Sequence, residues 1–201
     1  MPPPQELLRL AEAPLPPIQN SPTPSPGEHS SSLNRPEETE EAHMATVAVT
    51  VTATAAPQPL TYRDLFQKAA AESGFDWRLL AALAYRESRL DPLAVGQDGE
   101  MGLMQILPST WDEFAPPEEA LEPFAPEDNV QVAVRYLVYL QDTLAKWGLV
   151  EVKWVLAAYN WGPDNVRQLL DRGEGWEQLP SLQRRYVHDI LGAAFGPNED
   201  D

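Results

Sequence analysis

Leu80, Leu83, Ala84 and Glu87 stand at positions i, i+3, i+4 and i+7, so one helix would carry all four on one face. That spacing puts a carboxyl group where the face turned towards the core continues. A carboxylate there loses hydration, which disfavours its charged form and raises its pKa. Each unit of such a shift corresponds to about 1.4 kcal/mol between the two protonation states. A carboxylic acid still protonated near neutrality can donate its proton to a leaving oxygen, a role worth roughly 100- to 10,000-fold in rate. On position alone, a helix-end glutamate that reaches solvent or pairs with an arginine is the plainer reading. Arg86 and Arg89 fall on the other side of the stripe and would keep that side wet.

Three further pieces could work with such an acid. Gly99-Glu100-Met101-Gly102-Leu103-Met104-Gln105 combines glycines, which let another chain approach the backbone, with an amide that both donates and accepts. Ala157-Ala158-Tyr159-Asn160-Trp161-Gly162-Pro163 places a phenol, an amide and an indole at a helix terminus where Gly162 and Pro163 force a change of direction. Trp111 and Tyr186 offer further ring surfaces. Taken singly, each piece has a duller explanation: a turn, a helix cap, a core aromatic.

The elements that must position these residues are helices. Thr61 and Asp64 form a capping-box pair opening a helix over 62–72, which Ser73-Gly74 ends, and Asp76 can cap the next. Asp98-Gly99 marks a small hairpin or ordered loop within 91–105. A short helix starts at Pro108 and stops before Pro116-Pro117. A long one runs over 126–146, with Val130, Ala133, Val134, Leu137, Val138 and Leu144 on its apolar face. Further helices are expected over 152–160, from 163 through 170, and over 181–195. The expected fold class is therefore mainly α, a compact multi-helix domain with one small β-hairpin or loop element.

Residues 1–60 hold 12 of the 21 prolines and none of the 17 aromatic residues, so that stretch has no large ring to bury against the entropy of ordering its backbone. It is read as a disordered, extended tail over 1–59, with the acidic run 37–41 solvated, followed by a domain over 60–197. No basic-then-apolar leader follows Met1. The Thr-rich run 44–56 faintly resembles a signal core but has no Lys or Arg immediately before it, so it is read as linker. The chain has no cysteine, which removes disulfides, thiol nucleophiles and cysteine-zinc sites together. Its three histidines lie far apart, which argues against a His-based metal site or a Ser-His-Asp triad. The formal charge of −17 argues against nucleic-acid or anionic-membrane binding, and no run reaches the ~18–20 apolar residues of a membrane span.

Glu87-Ser88, then Gly102-Leu103-Met104-Gln105, then Ala158-Tyr159-Asn160-Trp161-Gly162, in that order, resemble the soluble lytic transglycosylases. Goose-type lysozymes share the lysozyme-like fold of that family, and the resemblance spans about residues 60–195. It implies an α+β lysozyme-like fold and a single catalytic acid/base, Glu87. This residue would protonate the glycosidic oxygen between N-acetylmuramic acid and N-acetylglucosamine in peptidoglycan. It would then deprotonate the muramoyl 6-hydroxyl, whose attack on C1 closes a 1,6-anhydro ring. The resemblance further implies that Ser88 orients substrate or the acid, that Met104 and Gln105 line the glycan groove, and that Tyr159 hydrogen-bonds near Glu87. Asn160 would contact an N-acetyl sugar, and Tyr186 matches a less strict aromatic position. It implies no metal or organic cofactor, peptidoglycan strands as partner, a monomer, and extracytoplasmic action.

The chain departs from the family pattern in one place. Gly96-Gln97-Asp98-Gly99-Glu100 stands where many relatives carry Ser first and Ala fifth. Hydrolytic glycosidases work with two carboxyl groups ~5–9.5 Å apart, so Asp91, Asp98 or Glu100 keeps a hydrolytic muramidase open as an alternative. A non-catalytic wall-binding module that kept the groove is the other. The plainest reading of the three acids is a solvated loop.

Overall fold

The computed structural model describes residues 1–16 and 60–196. Among them are eight α-helices: α1 (Pro4–Ala11), α2 (Tyr62–Ser73), α3 (Trp77–Ser88), α4 (Pro108–Phe114), α5 (Pro126–Ala145), α6 (Val152–Trp161), α7 (Pro163–Asp171) and α8 (Ser181–Phe195). Two single 3₁₀ turns, Pro117–Glu119 and Trp176–Gln178, lie between them.

The helix ends follow from local chemistry. The Thr61 hydroxyl accepts the Asp64 N–H at 3.2 Å and the Asp64 carboxylate accepts the Thr61 N–H at 2.8 Å, which closes the capping box of α2. Gly74 leaves α2 at φ 80°, a conformation that costs a residue with a Cβ but not glycine. Asp76 then caps α3 by accepting the Arg78 N–H at 2.8 Å. Between α6 and α7, Gly162 at φ 89° turns the chain and Pro163 starts the next helix.

Helix α3 is apolar on every side for six residues, Leu79 to Ala84, all buried. A helix of that kind needs neighbours all round. Contacts run from α3 to α8, α8 to α6, α6 to α5, α5 to α2 and α2 back to α3, a closed ring of packed helices. Alanines at 81, 82, 84, 157, 158, 193 and 194 keep the buried faces slim. On α5, Val130, Ala133, Val134, Leu137, Leu140 and Leu144 are buried at helical spacing, whereas Val138 is only partly covered.

Of the small hairpin or ordered loop expected over 91–105, the structure has the loop, with isolated bridges. Met101 pairs with Val95 on one side and Ile106 on the other. What holds it is a side chain: buried Asn129 of α5 donates to the carbonyls of Met101 (3.0 Å) and Pro123 (2.8 Å) and accepts the Met104 N–H (2.7 Å). One amide meets three backbone groups that a β-ladder would otherwise have to satisfy.

The amino terminus corrects the expectation of a disordered tail over 1–59. Residues 4–11 form α1, which packs on α2, α3 and α8 with Leu7 and Ala11 buried. Pro14 bridges Thr61, the Leu15 N–H donates to the Leu60 carbonyl (2.8 Å), and the Tyr62 N–H donates to the Ala13 carbonyl (3.2 Å). Arg63 pairs with Glu12. A stretch without aromatic residues can still order here, because an eight-residue helix needs only one leucine and one alanine to dock on helices already assembled. The helical body thus takes in residues 1–16 as well as those from 60 onward. The acidic run 37–41, the Thr-rich run 44–56, His29, His43 and most of the proline-rich stretch lie outside the described residues.

Leu7→Ala is expected to lower the unfolding free energy by about 2–5 kcal/mol, as for other buried leucines. Chemical denaturation measures it; a difference near zero would return residues 4–11 to a detached tail.

Candidate active site

Glu87 lies in the last turn of α3, one turn beyond the buried run. The residue keeps some access to solvent, but its carboxyl is crowded by protein. Loss of hydration is the largest influence and pushes its pKa up to about 7 from an ordinary 4.5. Two groups oppose that rise. Tyr186 of α8 donates its hydroxyl to Glu87 Oε1, and the positive charge of Arg86 lies close by. The negative charge of Glu100 adds to it. Burial keeps the Tyr186 phenol well above its usual range, so at neutral pH it remains a donor.

Arg86 was expected on the wet side of the helix. It lies instead over the Tyr186 ring, 5.1 Å from its centre, and is partly covered. Helix α3 and helix α8 meet here, and the guanidinium uses the ring face as its platform.

The chain after Glu87 is strained. Arg89 (φ 60°), Leu90 (φ 64°) and Gln105 (φ 49°) all adopt the left-handed conformation, at a cost of roughly 1–2 kcal/mol each. Three of the four non-glycine residues with positive φ among the described residues thus flank one site. The Tyr62 hydroxyl steadies the first pair by donating to the Leu90 carbonyl at 2.9 Å. Ser88 Oγ lies 2.7 Å from the Leu103 carbonyl and 3.1 Å from that of Ala84, which pins the 91–106 loop against the end of α3. Gly102 (φ 72°) is required in that loop: a Cβ there would stand 2.5 Å from the Pro123 carbonyl oxygen and 2.6 Å from Asn129 Nδ2.

Gln105 Nε2 donates to the carbonyls of Gly102 (2.9 Å) and Ala94 (3.1 Å). Both donors of the amide are thereby engaged and its oxygen is left as an acceptor. Gln105 borders a pocket of about 190 Å³ with Ile106, Leu107, Thr110, Tyr136, Tyr159, Asn160, Trp161 and Gly162. The Tyr159 hydroxyl donates to the Met104 carbonyl at 2.9 Å, which ties α6 to the loop. Burial, with the nearby charge of Glu87, holds the Tyr159 phenol well above its usual range. Tyr159 thus belongs to the pocket wall and lies within electrostatic range of the acid. Tyr136 packs against Tyr159 with ring centres 5.5 Å apart.

The expected site residues therefore divide. Gln105, Tyr159, Asn160 and Trp161 border one pocket, and Glu87 and Tyr186 form a hydrogen-bonded pair electrostatically linked to it. Met104 does not line a groove: its side chain is fully buried, because residues 103 and 104 plug the loop into the core. Ser88 is also buried, and its hydroxyl is taken by backbone carbonyls. Tyr186, expected as a stacking surface, is buried and presents its hydroxyl to the acid, while the Tyr159 hydroxyl bonds the Met104 carbonyl within reach of the Glu87 charge. Trp111 is partly buried against the core. Asn129 and Tyr136 were missed; a lone amide on the apolar face of α5 was the signal for the first. Among the described residues no group of three or more His, Asp or Glu is placed to hold a metal ion.

Residues 64–177 match the family described as Transglycosylase SLT domain. The membrane-bound lytic murein transglycosylase F of Alcanivorax borkumensis is 57% identical over 152 residues, covering 68% of this chain and 31% of that one. Its namesake in Desulfosudis oleivorans is 35% identical over 150 residues, covering 67% and 32%. Among solved structures, the 70 kDa soluble lytic transglycosylase of Escherichia coli matches with a TM-score of 0.55 and 29% identity, over 68% of this chain and 24% of that one. A complex of the 70 kDa soluble lytic transglycosylase with bulgecin A matches with a TM-score of 0.55 and 25% identity, over 66% and 23%. The chain spans about a third of the length of those curated relatives. With more than half of its residues inside the matched stretch, the chain belongs to the transglycosylase SLT domain family.

Proposed function

We propose that this chain is a peptidoglycan lytic transglycosylase in which Glu87 is the single acid and base. The supporting observation is a carboxyl group that accepts a hydrogen bond from a buried phenol and is pushed by desolvation to a pKa of about 7, within electrostatic range of Tyr159 in the wall of a pocket edged with amides and aromatic rings. Protonated Glu87 gives its proton to the bridging oxygen, and the bond from that oxygen to muramoyl C1 breaks. The resulting carboxylate takes the proton of the C6 hydroxyl as its oxygen bonds to C1. The ring closes and no water is consumed. The Gln105 oxygen and the Asn160 amide suit the hydroxyl and acetamido groups of such sugars, and Trp161 supplies an apolar surface. Tyr159 and Tyr186 orient the acid and the loop. The names of the relatives favour action on the extracytoplasmic side of a membrane; among the described residues no helix is long and apolar enough to cross one.

The product identifies the reaction. Mass spectrometry of digested sacculi is expected to show anhydro-muropeptides, whereas reducing-end products alone would make the chain a hydrolytic muramidase. Activity is expected to fall as pH rises through about 7, since the acid must hold its proton to donate it. Tyr186→Phe removes a donor that favours the charged form, so the alkaline fall should move to higher pH while the rate drops.

Glu87→Gln is expected to cost at least about 100-fold in rate. The folded chain holds a proton between pH 4.5 and about 7 that the unfolded chain releases, so this group makes stability fall as pH rises through that window. The glutamine variant lacks that fall. It should be the more stable protein at pH 8, by on the order of 2 kcal/mol after solvent screening, with no difference near pH 4. Thermal denaturation of both proteins at the two pH values measures it, and it separates lost chemistry from lost folding.

A further inference from the structure

The Gln105 amide at the pocket edge is oriented by two carbonyls, those of Gly102 and Ala94. The Ala94 carbonyl also accepts the Gly102 N–H at 2.9 Å, so it fixes the loop and the amide together. Ala94 itself ends a tight turn that starts at Asp91. Its N–H donates to the Asp91 carbonyl at 3.3 Å, and the Asp91 carboxylate accepts the Leu93 N–H at 2.9 Å. Pro92, at the second position of that turn, is buried and has its φ fixed by its ring. Such a turn is stiff, so its placement is set by the residue before it, Leu90.

Leu90 (φ 64°) is held in the left-handed conformation directly after Arg89 (φ 60°), and neither residue type adopts it readily. Its carbonyl accepts the Tyr62 hydroxyl at 2.9 Å. Tyr62 is itself well anchored. Its ring is buried beside Phe66, with ring centres 6.4 Å apart, and its N–H donates to the Ala13 carbonyl at 3.2 Å. Contacts therefore run without a gap from Ala13 through Tyr62, Leu90 and the Asp91–Ala94 turn to the Gln105 amide.

We propose that Tyr62 is a positioning residue: through Leu90 and the turn after it, its hydroxyl sets the Ala94 carbonyl that orients Gln105 towards a bound sugar. The proposal rests on the reading of Gln105 as a substrate-binding amide. Without the hydroxyl, the ring still fills its place in the core, but the Leu90 carbonyl loses its anchor. Left-handed strain persists only where the surroundings impose it. Leu90 then relaxes, the turn moves with it, and the Gln105 oxygen loses its fixed direction. Glu87 precedes the strained pair, and the bond from the Arg89 N–H to the Tyr85 carbonyl (3.0 Å) closes the end of α3 without Tyr62. The effect therefore falls on binding rather than on proton transfer.

The test is the initial rate of sacculus digestion over a range of substrate concentrations, by the full chain, Tyr62→Phe, Gln105→Ala and the double variant. Tyr62→Phe is expected to raise the apparent KM about 3- to 10-fold, the worth of one hydrogen bond, with kcat changed less than about twofold. The alkaline fall in rate should stay at the same pH. In the double variant, loss of the hydroxyl should add nothing to Gln105→Ala, because both act through one contact. Where Gln105→Ala turns over too slowly, sedimentation with sacculi of the same variants carried on Glu87→Gln gives the comparison as binding constants. A Tyr62 needed for folding alone would lower kcat with the folded fraction and leave KM unmoved, and chemical denaturation measures that fraction. Pro92→Ala loosens the turn and should raise KM in the same way; it decides the question should Tyr62→Phe fail to fold. An unmoved KM, or effects that add in the double variant, overturns the proposal and leaves Glu87 as the acid. A full chain that releases nothing from sacculi overturns the reading of the site instead.

Discussion

The site depends on the desolvation of one carboxyl group at the end of a buried helix. Helix α3 is apolar all round from Leu79 to Ala84, so its neighbours must enclose it, and the enclosure extends one turn further to Glu87. Dehydration there works against the charged form, and the surrounding groups adjust the outcome without reversing it. Tyr186 and Arg86 together form one such adjustment, a phenol on the carboxyl and a guanidinium on the face of that phenol's ring. Glu100 is the opposing one.

A second constraint is the loop that faces the acid. It carries only isolated bridges in place of a strand ladder, so the backbone groups those bridges leave at Met101, Leu103 and Met104 are met by side chains from three helices: Asn129 from α5, Tyr159 from α6 and Ser88 from α3. These anchors allow Gln105 to sit at φ 49° and let the chain leave α3 through two successive left-handed residues. Strain concentrated at one place persists only where the surroundings over-determine it. Here the over-determination comes from the buried plug, Leu103 and Met104, and from the Asn129 amide.

Much of this was legible in the residues themselves. The capping pair Thr61 and Asp64, the exits at Gly74 and Gly162, and the apolar stripe of α5 are short-range patterns, and the helices begin and end close to where those patterns put them. The spacing of Leu80, Leu83, Ala84 and Glu87 by itself puts the acid at the end of a buried face. What misled was composition used as a proxy for packing. A stretch without aromatic rings was read as unable to order, yet α1 docks through Leu7 and Ala11 because the surface that receives them is supplied by distant helices.

Sequence alone determined the helix boundaries from α2 onward, the rigid turns and the presence of an acid on an apolar face, because those depend on residues within a turn or two of each other. Tertiary structure decided which side chains meet that acid. Tyr186 stands 99 positions from Glu87 and reaches it only because α8 packs on α3. The same packing buried Ser88 and Met104, and loop closure turned Glu100 inward over Gly96. Proton affinity is set by everything within a few ångströms in space, and one-dimensional spacing carries no record of what folding brings that close.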